Sequence, residues 1–506
     1  MQGLNSTVHH LHRGGSDIVL VPQPSKHPND PLNWAQWKKQ VIFINVCSFA
    51  FFTNFSIGGI TPAFYVMSLE FEQSINSISH LLNYPILLLG IGNFFWVPMA
   101  IYFGKRPVFV VSSLLLCITN IWGATSTSYH SLLNSRFIAG FAGSSTEALG
   151  AAIINDLFFL HERGFQIGIY IIFLSCGNSV GPLLAGFVDE KIGWRWFYWV
   201  MVIFTASNFL SVLFLVPETR YERHFGQEND ENNSKNPVNT VQHDIKSIPT
   251  HCSEVPSPSK MTYFQSLRLF SGVPRTNLIN LFVRPFPLIA YPAVMWAFLS
   301  YSICLACVIA SGTLNPFVLQ APPYLFSSGI QGLINIPAII GNLVGAVCGG
   351  YLTDIYSARY ARKNDGYFLP ESRLVLCIIP TVLTGSGLLM FGFGCDQTSH
   401  WAVIYVGYGL INTGLTGIAS IGMTYVMDSY YPIAAEALLL VNGLKNIVAF
   451  GFLYGIVPWW SASGFAKMYG ALTGIFIAIA ALGIPLYLFG AKIRHFTSSR
   501  FKVISW

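Results

Sequence analysis

The stretch that decides the fold runs from Ser131 to Asn155 and reads SLLNSRFIAGFAGSSTEALGAAIIN. It is long enough to cross a bilayer, which takes about 20 apolar residues, and its only charged residues are Arg136 and Glu147. A charged group in a bilayer costs about 2.5–3.5 kcal/mol on insertion scales. The two residues are separated by about three helical turns. We therefore expect both on one helix face, turned toward a protein interior or a water-filled path.

Arg136 and Glu147 are predicted not to pair with each other. Helix rise places them about 16 Å apart along the axis. Each must then find partners on other helices, in water or in a substrate. Burial disfavours the charged form of a carboxyl group, so Glu147 is a candidate proton carrier.

Hydrophobic runs like this one recur along most of the chain. Of the 506 residues, 53% are hydrophobic and only 10% are charged, whereas soluble proteins carry about 25% charged residues. The sequence predicts an all-α membrane protein with twelve transmembrane helices. The predicted spans are 41–64, 81–103, 107–125, 131–155, 165–188, 196–216, 289–312, 328–352, 373–393, 401–425, 434–457 and 467–489.

The spans divide into two groups of six. We predict an N-terminal tail at 1–40, six-helix halves at 41–216 and 289–489, a polar linker at 217–288 and a C-terminal tail at 490–506. Lys and Arg concentrate in the tails and linker, which predicts that all three are cytoplasmic. The net charge of +6 therefore indicates basic loops on one membrane side and not nucleic-acid binding.

Several functional classes find no support in the sequence. No secretory signal peptide is expected, because the first 40 residues lack an apolar core. The nine cysteines are scattered, which predicts neither a disulfide framework nor a metal site. No phosphate-binding glycine loop is present, and no cofactor is implied. We expect a transporter and not an enzyme.

The two halves share short matching features. Asp156-Leu-Phe-Phe159 follows the fourth predicted span, and Asp428-Ser-Tyr-Tyr431 follows the tenth. Each begins at the same end of the fourth span of its half. Together with the division into six and six spans, this match favours two pseudo-symmetric halves around a central site.

Five motifs and the layout of the spans resemble the major facilitator superfamily, and the resemblance covers about residues 28 to 495. The narrower resemblance is to its fungal twelve-span drug:proton antiporter-type branch, which includes cation and polyamine carriers. The motifs are Asn29-Asp-Pro-Leu-Asn-Trp34, Arg136-Phe-Ile-Ala-Gly140, Asp156-Leu-Phe-Phe-Leu-His-Glu-Arg-Gly164, Gly177-Asn-Ser-Val-Gly-Pro182 with Gly186, and Trp194-Arg-Trp-Phe197.

The resemblance implies the major facilitator fold, with alternating access driven by a proton gradient. It assigns Arg136 to proton coupling or substrate contact. It implies that the fifth span is a gating helix, in which small residues allow close helix approach and proline allows a bend. The gating and packing residues are Gly177, Gly181, Pro182 and Gly186.

Polar residues within spans are candidates for a substrate cavity. Asn442, Lys445 and Asn446 share one face of the eleventh span, and Asn54 and Asn178 are lone amides in the first and fifth. Aromatic side chains could hold an organic cation there; the candidates are Phe49, Phe51, Phe52, Phe55, Tyr170, Phe173, Trp296 and Tyr301.

Charged residues at the cytoplasmic ends of the spans are candidates for loop contacts. In the major facilitator superfamily, which this sequence resembles, the loop after the second span forms charge contacts that close the cytoplasmic side. Here the loop keeps Lys105 and Arg106 but lacks a preceding aspartate, and the second-half copy keeps Asp354, followed by Arg359. The remaining candidates are Asp156, Arg163, Asp428 and Glu436.

The predicted function is secondary transport of a small organic molecule, cationic or drug-like. The fifth-span motif favours export, whereas Glu70 and Glu72 at the predicted outer mouth favour import of a cation. A non-transporting membrane sensor is the alternative from another class. The expected partners are the bilayer, the substrate and protons, with no nucleic acid and no obligate protein partner. The expected location is the plasma membrane.

Overall fold

In the computed structural model, the described residues are 29–219, 278–363, 369–430 and 433–500. All regular secondary structure in these ranges is helical. Ten membrane spans follow one another as separate helices. They are Gln36–Glu70, Ile75–Phe103, Lys105–Thr125, Tyr129–Leu157, Phe165–Ile192, Trp194–Leu215, Pro292–Leu319, Ser328–Tyr360, Pro370–Asp396 and Trp401–Ser429, here called spans 1 to 10.

The last apolar helical stretch, Glu436–Thr497, has 62 residues and is long enough to cross a membrane twice. It is broken at Gly464, whose φ of 77° and ψ of 171° are not helical. We call 434–463 span 11 and 465–500 span 12. The prediction of an all-α membrane protein with twelve spans is confirmed.

Some spans contain breaks, and others meet at sharp turns. Span 1 ends its first helix at Gly58 and continues as Phe64–Glu70. Span 4 consists of Tyr129–Gly143 and Ser145–Leu157. Gly104 joins spans 2 and 3 with a φ of 110°, and Gly193 joins spans 5 and 6 with a φ of 91°. Glycine adopts such angles without a steric penalty, so these helix pairs need no longer loop.

The same helix pairs pack in both halves. Span 1 packs on span 5, span 2 on span 4 and span 3 on span 6, and the equivalent contacts 7 on 11, 8 on 10 and 9 on 12 form the second half. The halves meet through span 2 against span 11 and span 5 against span 8. These contacts are also equivalent under exchange of the halves, as expected for an internal repeat.

Six crossings return the chain to the side on which it started. They place Thr219 on the side of Asn29 and Arg500 on the side of Leu278. Phe286, shortly before span 7, stacks on Phe94 in the later half of span 2. Asn29, Thr219, Leu278 and Arg500 therefore all lie on one side of the helix bundle, which we call the terminal side. The other side is called the opposite side.

The repeat extends to charge pairs on the terminal side. Lys105 Nζ, at the start of span 3, lies 2.5 Å from Asp156 Oδ2 at the end of span 4. Arg373 Nε, near the start of span 9, lies 2.7 Å from Asp428 Oδ2 at the end of span 10. In each half the acidic residue of the repeated motif thus holds a basic residue on the neighbouring span.

Asp354 and Arg359, two of the candidates for loop contacts, do not pair with each other. Asp354 pairs with Arg373, with 2.6 Å between Oδ1 and Nη1, and not with Arg359, which is exposed. Five residues of helix turn the side chains about 140° apart, so Arg359 points away from Asp354.

The other predicted loop residues have separate partners. Arg106 donates from Nε to the carbonyl of Val216 at 2.9 Å, which fastens span 3 to the end of span 6. Glu436 Oε1 lies 3.4 Å from Arg284 Nη2, within the second half. The side chain of Arg163 lies outside the described part of the structure.

Candidate functional site

Arg136 is 1% exposed and reaches away from its own span. Its Nη1 donates to the carbonyl of Ser56 at 2.6 Å, its Nη2 donates to the carbonyl of Ile57, and its Nε donates to the carbonyl of Leu81 at 3.2 Å. One guanidinium therefore connects spans 1, 2 and 4.

Each of these carbonyls lacks a partner within its own helix. Ser56 and Ile57 lie in the last turn of Gln36–Gly58, where helix geometry leaves the carbonyls without donors. Leu81 lies four residues before Pro85, which has no N–H to donate. Arg136 supplies the missing donors, and its positive charge also suits the negative end of a helix.

Glu147 is 3% exposed and lies ten residues before the end of Ser145–Leu157, about 15 Å from the terminal side by helix rise. Its Oε1 is 3.2 Å from Lys445 Nζ. Its Oε2 accepts from Asn446 Nδ2 at 2.8 Å and from Asn93 Nδ2 at 3.3 Å. Donors from spans 2 and 11 thus hold this carboxylate near the bilayer midplane.

The backbone of Glu147 is held as well. Asn442 Nδ2 donates to its carbonyl at 3.3 Å, and the Tyr170 hydroxyl donates to the carbonyl of Thr146 at 2.6 Å. Both residues predicted for proton coupling are therefore fully bonded, but to different groups. Arg136 binds backbone carbonyls of its own half, whereas Glu147 binds one side chain of its own half and two of the other half.

Lys445 is 1% exposed. Besides Glu147, its ammonium contacts the ring of Tyr301 on span 7, with Nζ 4.2 Å from the ring centroid. An aromatic face attracts a cation at this distance. The pair of Glu147 and Lys445 links the two halves directly, because one residue is on span 4 and the other on span 11.

A central cavity begins at this pair. The residues around it surround about 660 Å³ of empty space, which includes its opening. Its polar lining consists of one acid, one amine, amides, hydroxyls and two tyrosines, and the rest is apolar. The polar residues are Asn54, Thr61, Glu147, Asn178, Tyr301, Tyr408, Lys445 and Asn446.

The structure brings most of the predicted cavity residues together. Asn54, Asn178, Lys445 and Asn446 line the cavity, whereas Asn442 lies behind it, against the backbone of Glu147. Among the aromatic candidates, Tyr301 lines the cavity and the other seven do not.

Three contributors were missed in the sequence. Asn93 donates to Glu147, and Thr61 and Tyr408 line the cavity from spans 1 and 10. Asn93 has the same signal as Asn54, a lone amide in an apolar span. Tyr408 is one of 23 tyrosines, and nothing local distinguishes it from the others.

The predicted packing residues of span 5 form two contacts. A Cβ on Gly177 would lie 2.5 Å from the carbonyl of Phe51, and one on Gly181 would lie 2.8 Å from that of Phe55, so both pack on span 1. A Cβ on Gly186 would lie 2.5 Å from the carbonyl of Ser328 in the other half. Pro182 lines the cavity between these contacts.

The halves touch on both sides of the cavity. Toward the opposite side, Gln320 Nε2 donates to the carbonyl of Pro62 at 3.0 Å. Toward the terminal side, the ring of Phe94 stacks on Phe286 with 5.2 Å between centroids. Opening either route requires the halves to separate at one of these contacts.

Of the two acidic residues predicted at the outer mouth, Glu70 is paired, whereas Glu72 is exposed. Glu70 Oε1 lies 2.9 Å from Arg195 Nη1, and its Oε2 accepts from Trp194 Nε1 at 2.6 Å. This carboxylate holds the end of span 1 to the start of span 6, which argues against a role in concentrating cations.

Comparison with known proteins agrees with this architecture. The family model described as Major Facilitator Superfamily matches residues 45–486. An uncharacterised MFS-type transporter of Schizosaccharomyces pombe is 29% identical over 97% of this chain and 91% of its own length. Protein HOL1 of Saccharomyces cerevisiae is 27% identical, over 96% of this chain and 92% of its own length. The MFS antiporter QDR3 of Candida albicans is 24% identical over 95% of this chain and 81% of its own length.

A solved structure shares the fold. The human organic anion transporter MFSD10 (TETRAN) is similar with a TM-score of 0.53 over 88% of this chain and 99% of its own, at 14% identity. A likeness at this identity concerns the fold alone. The matched length, the twelve spans and the repeated helix contacts agree, and the chain belongs to the major facilitator superfamily, a family of membrane transporters of small molecules and not of enzymes.

Proposed function

We propose that the protein is a proton-coupled secondary transporter that moves a small organic cation by alternating access through the central cavity. The observation that carries this proposal is the buried pair of Glu147 and Lys445, which lies at the cavity and joins the two halves. We further propose that the terminal side is cytoplasmic, since Lys and Arg concentrate there, and that the membrane is the plasma membrane.

The chemistry of the cavity supports a cation. Glu147 is the only carboxylate among its lining residues, and a buried carboxylate requires a positive partner. Tyr301 and Tyr408 present aromatic side chains to the same space, and such rings bind ammonium groups. A substrate with one positive group and an apolar body could contact both the carboxylate and the aromatic side chains of the cavity.

The position of the pair supports coupling. A buried ion pair that loses one partner is destabilised by about 3–5 kcal/mol. Any proton or cation that changes the pairing of Glu147 therefore alters the free energy of the contact between spans 4 and 11. That is the differential free energy that a ligand needs to shift a conformational equilibrium.

Export of a drug-like molecule is the second candidate. Most of the cavity lining is apolar, which suits a lipophilic substrate, and one relative is named as an antiporter. The substrate distinguishes the two candidates, because only the first requires a positive group. The direction of flux is read separately, since an importer and an exporter respond oppositely to the same pH gradient. A membrane sensor would show no flux in either direction.

The test is uptake and efflux of labelled tetraethylammonium and putrescine in proteoliposomes with an imposed pH gradient. We expect movement of a cation against its own gradient, lost in Glu147→Gln. Glu72→Gln is the matched control, because Glu72 is exposed and outside the spans. Undiminished pH-driven transport by Glu147→Gln would contradict the assigned site, and wild-type flux that ignores the pH gradient would contradict proton coupling.

A further inference from the structure

Lys445 occupies the position that an ammonium substrate would take. Its Nζ lies 3.2 Å from Glu147 Oε1 and 4.2 Å from the ring centroid of Tyr301. These are a carboxylate and an aromatic face, the two groups that bind organic cations. Lys445 and a cationic substrate therefore compete for one site.

The total charge of the cavity restricts what can follow. With Glu147 ionised and Lys445 protonated, the pair is neutral. A bound cation would raise the total to one positive charge if both residues kept their states. An uncompensated charge in a dry site is costly, and desolvation favours the neutral form of an amine that has lost its counter-charge.

We propose that Lys445 is the residue that exchanges the proton: a cationic substrate displaces its ammonium from Glu147, and the amine releases one proton to water. This inference rests on the proposed function and names its proton site. In the step, one N–H bond of the ammonium breaks, the electron pair stays on nitrogen, and the proton goes to solvent. Glu147 remains a carboxylate throughout and exchanges one cationic partner for another.

This exchange keeps the cavity neutral in both states. Before binding, the charges are those of Glu147 and protonated Lys445. After binding, they are those of Glu147 and the substrate. One proton leaves for each monovalent cation bound, which is the stoichiometry of an electroneutral antiport. The proton-carrier role predicted for Glu147 would instead leave a charged lysine without its partner.

The other titratable groups near the pair do not replace Lys445 in this role. Tyr301 and Tyr408 line the cavity, and Tyr170 donates to the carbonyl of Thr146 beside Glu147. Tyrosine hydroxyls are neutral at physiological pH. Among the described cavity residues, Glu147 and Lys445 carry the only formal charges.

One substitution separates the alternatives. Lys445→Arg keeps a cation beside Glu147, but that cation does not deprotonate in proteins. The double variant Glu147→Gln with Lys445→Met removes both charges, so it is the folded control that lacks the site.

The probe is tetraethylammonium, a permanent cation, so every proton released on binding comes from the protein. Binding to the purified full-length protein is measured by titration calorimetry in two buffers of different ionisation enthalpy, which gives the protons released per cation. For the wild type we expect about one proton per cation and an affinity that rises about tenfold per pH unit. For Lys445→Arg we expect no proton release and an affinity independent of pH, because arginine keeps its proton.

Lys445→Arg should fold and bind tetraethylammonium at least tenfold more weakly than the wild type, because its cation stays on Glu147. Release of about one proton per cation by Lys445→Arg at wild-type affinity would overturn the inference and assign the proton to Glu147, because arginine cannot supply it. If Lys445→Arg does not fold, tetraethylammonium binding to the wild type without proton release would overturn it equally. A wild type that neither binds nor transports cations would instead contradict the proposed function.

Discussion

Replacing Arg136 with methionine tests whether this residue is a structural donor or part of the coupling machinery. The change removes three hydrogen bonds, to the carbonyls of Ser56, Ile57 and Leu81. Side-chain hydrogen bonds within membranes contribute about 0.6 kcal/mol on average, and bonds to charged groups contribute about 1.5–3 kcal/mol. Loss of all three should lower the free energy of unfolding by about 2–9 kcal/mol.

The assay is unfolding of the purified protein in detergent, followed by circular dichroism against temperature and denaturant. Arg136→Lys is the matched control, since an ammonium keeps the charge and reaches fewer carbonyls, so it should lose less stability than Arg136→Met. A second test uses Pro85→Ala, which restores a backbone donor for Leu81. In that background the cost of Arg136→Met should fall by about one hydrogen bond, about 1 kcal/mol.

One outcome would refute this reasoning. If Arg136→Met unfolds like the wild type and yet loses pH-driven transport, the carbonyl contacts contribute little and the residue acts in coupling. That role is the one that resemblance assigned to it, and it stays a prediction. Additive costs of the Arg136 and Pro85 changes would show that Leu81 does not link the two residues.

Three further predictions follow from the packing and charge contacts. Gly140→Ala should lower the free energy of unfolding by about 1–3 kcal/mol, because the new Cβ would lie 2.3 Å from a backbone carbonyl of span 2. Gly474→Ala is the control and should leave stability unchanged, since its Cβ would have no atom within 4 Å. Thermal unfolding of the two variants checks this. Asp428→Asn should lower the free energy of unfolding more than Asp354→Asn does. Both carboxylates pair with the same arginine, but the Asp428 side chain is 25% exposed and the Asp354 side chain is 49% exposed. Equal losses of stability that do not depend on salt would argue against this ranking. Asn446→Leu removes the 2.8 Å donor to the cavity carboxylate and should lower the initial rate of pH-driven cation uptake at least tenfold; a rate within twofold of wild type would contradict its role.

The fold was predictable because the bilayer imposes a length and a composition on each span. Twelve apolar stretches, a polar interval and a basic bias on one side required no knowledge of contacts. The break within span 4 at Ser144 was not predicted, since no proline marks it. The division of Glu436–Thr497 was predicted, because polar and small residues separate two apolar runs.

The site was predictable as a set of residues and not as a set of pairs. Burial of a charge in an apolar span shows that a partner exists, and Glu147 and Lys445 were both identified for that reason. That they are each other's partner depends on how spans 4 and 11 approach, 298 positions apart in the chain. The carbonyls that bind Arg136 could not be predicted for a related reason. Any helix end, or any residue four positions before a proline, leaves a carbonyl without a donor, and the sequence does not show which one lies near Arg136.

Arg136 and Glu147 began as similar features, two charges on one apolar span, but their surroundings give them different capacities for change. The partners of Arg136 are backbone carbonyls at a helix end and before a proline, and these positions are fixed as long as spans 1 and 2 keep their shape. The partners of Glu147 are side chains on spans 2 and 11, one of them a lysine, and side chains of the other half move away when the halves separate. A rocking motion would therefore leave the Arg136 contacts intact and break the contacts of Glu147 with Lys445 and Asn446. Only the second residue lies where the binding of an ion can be linked to the motion of the halves.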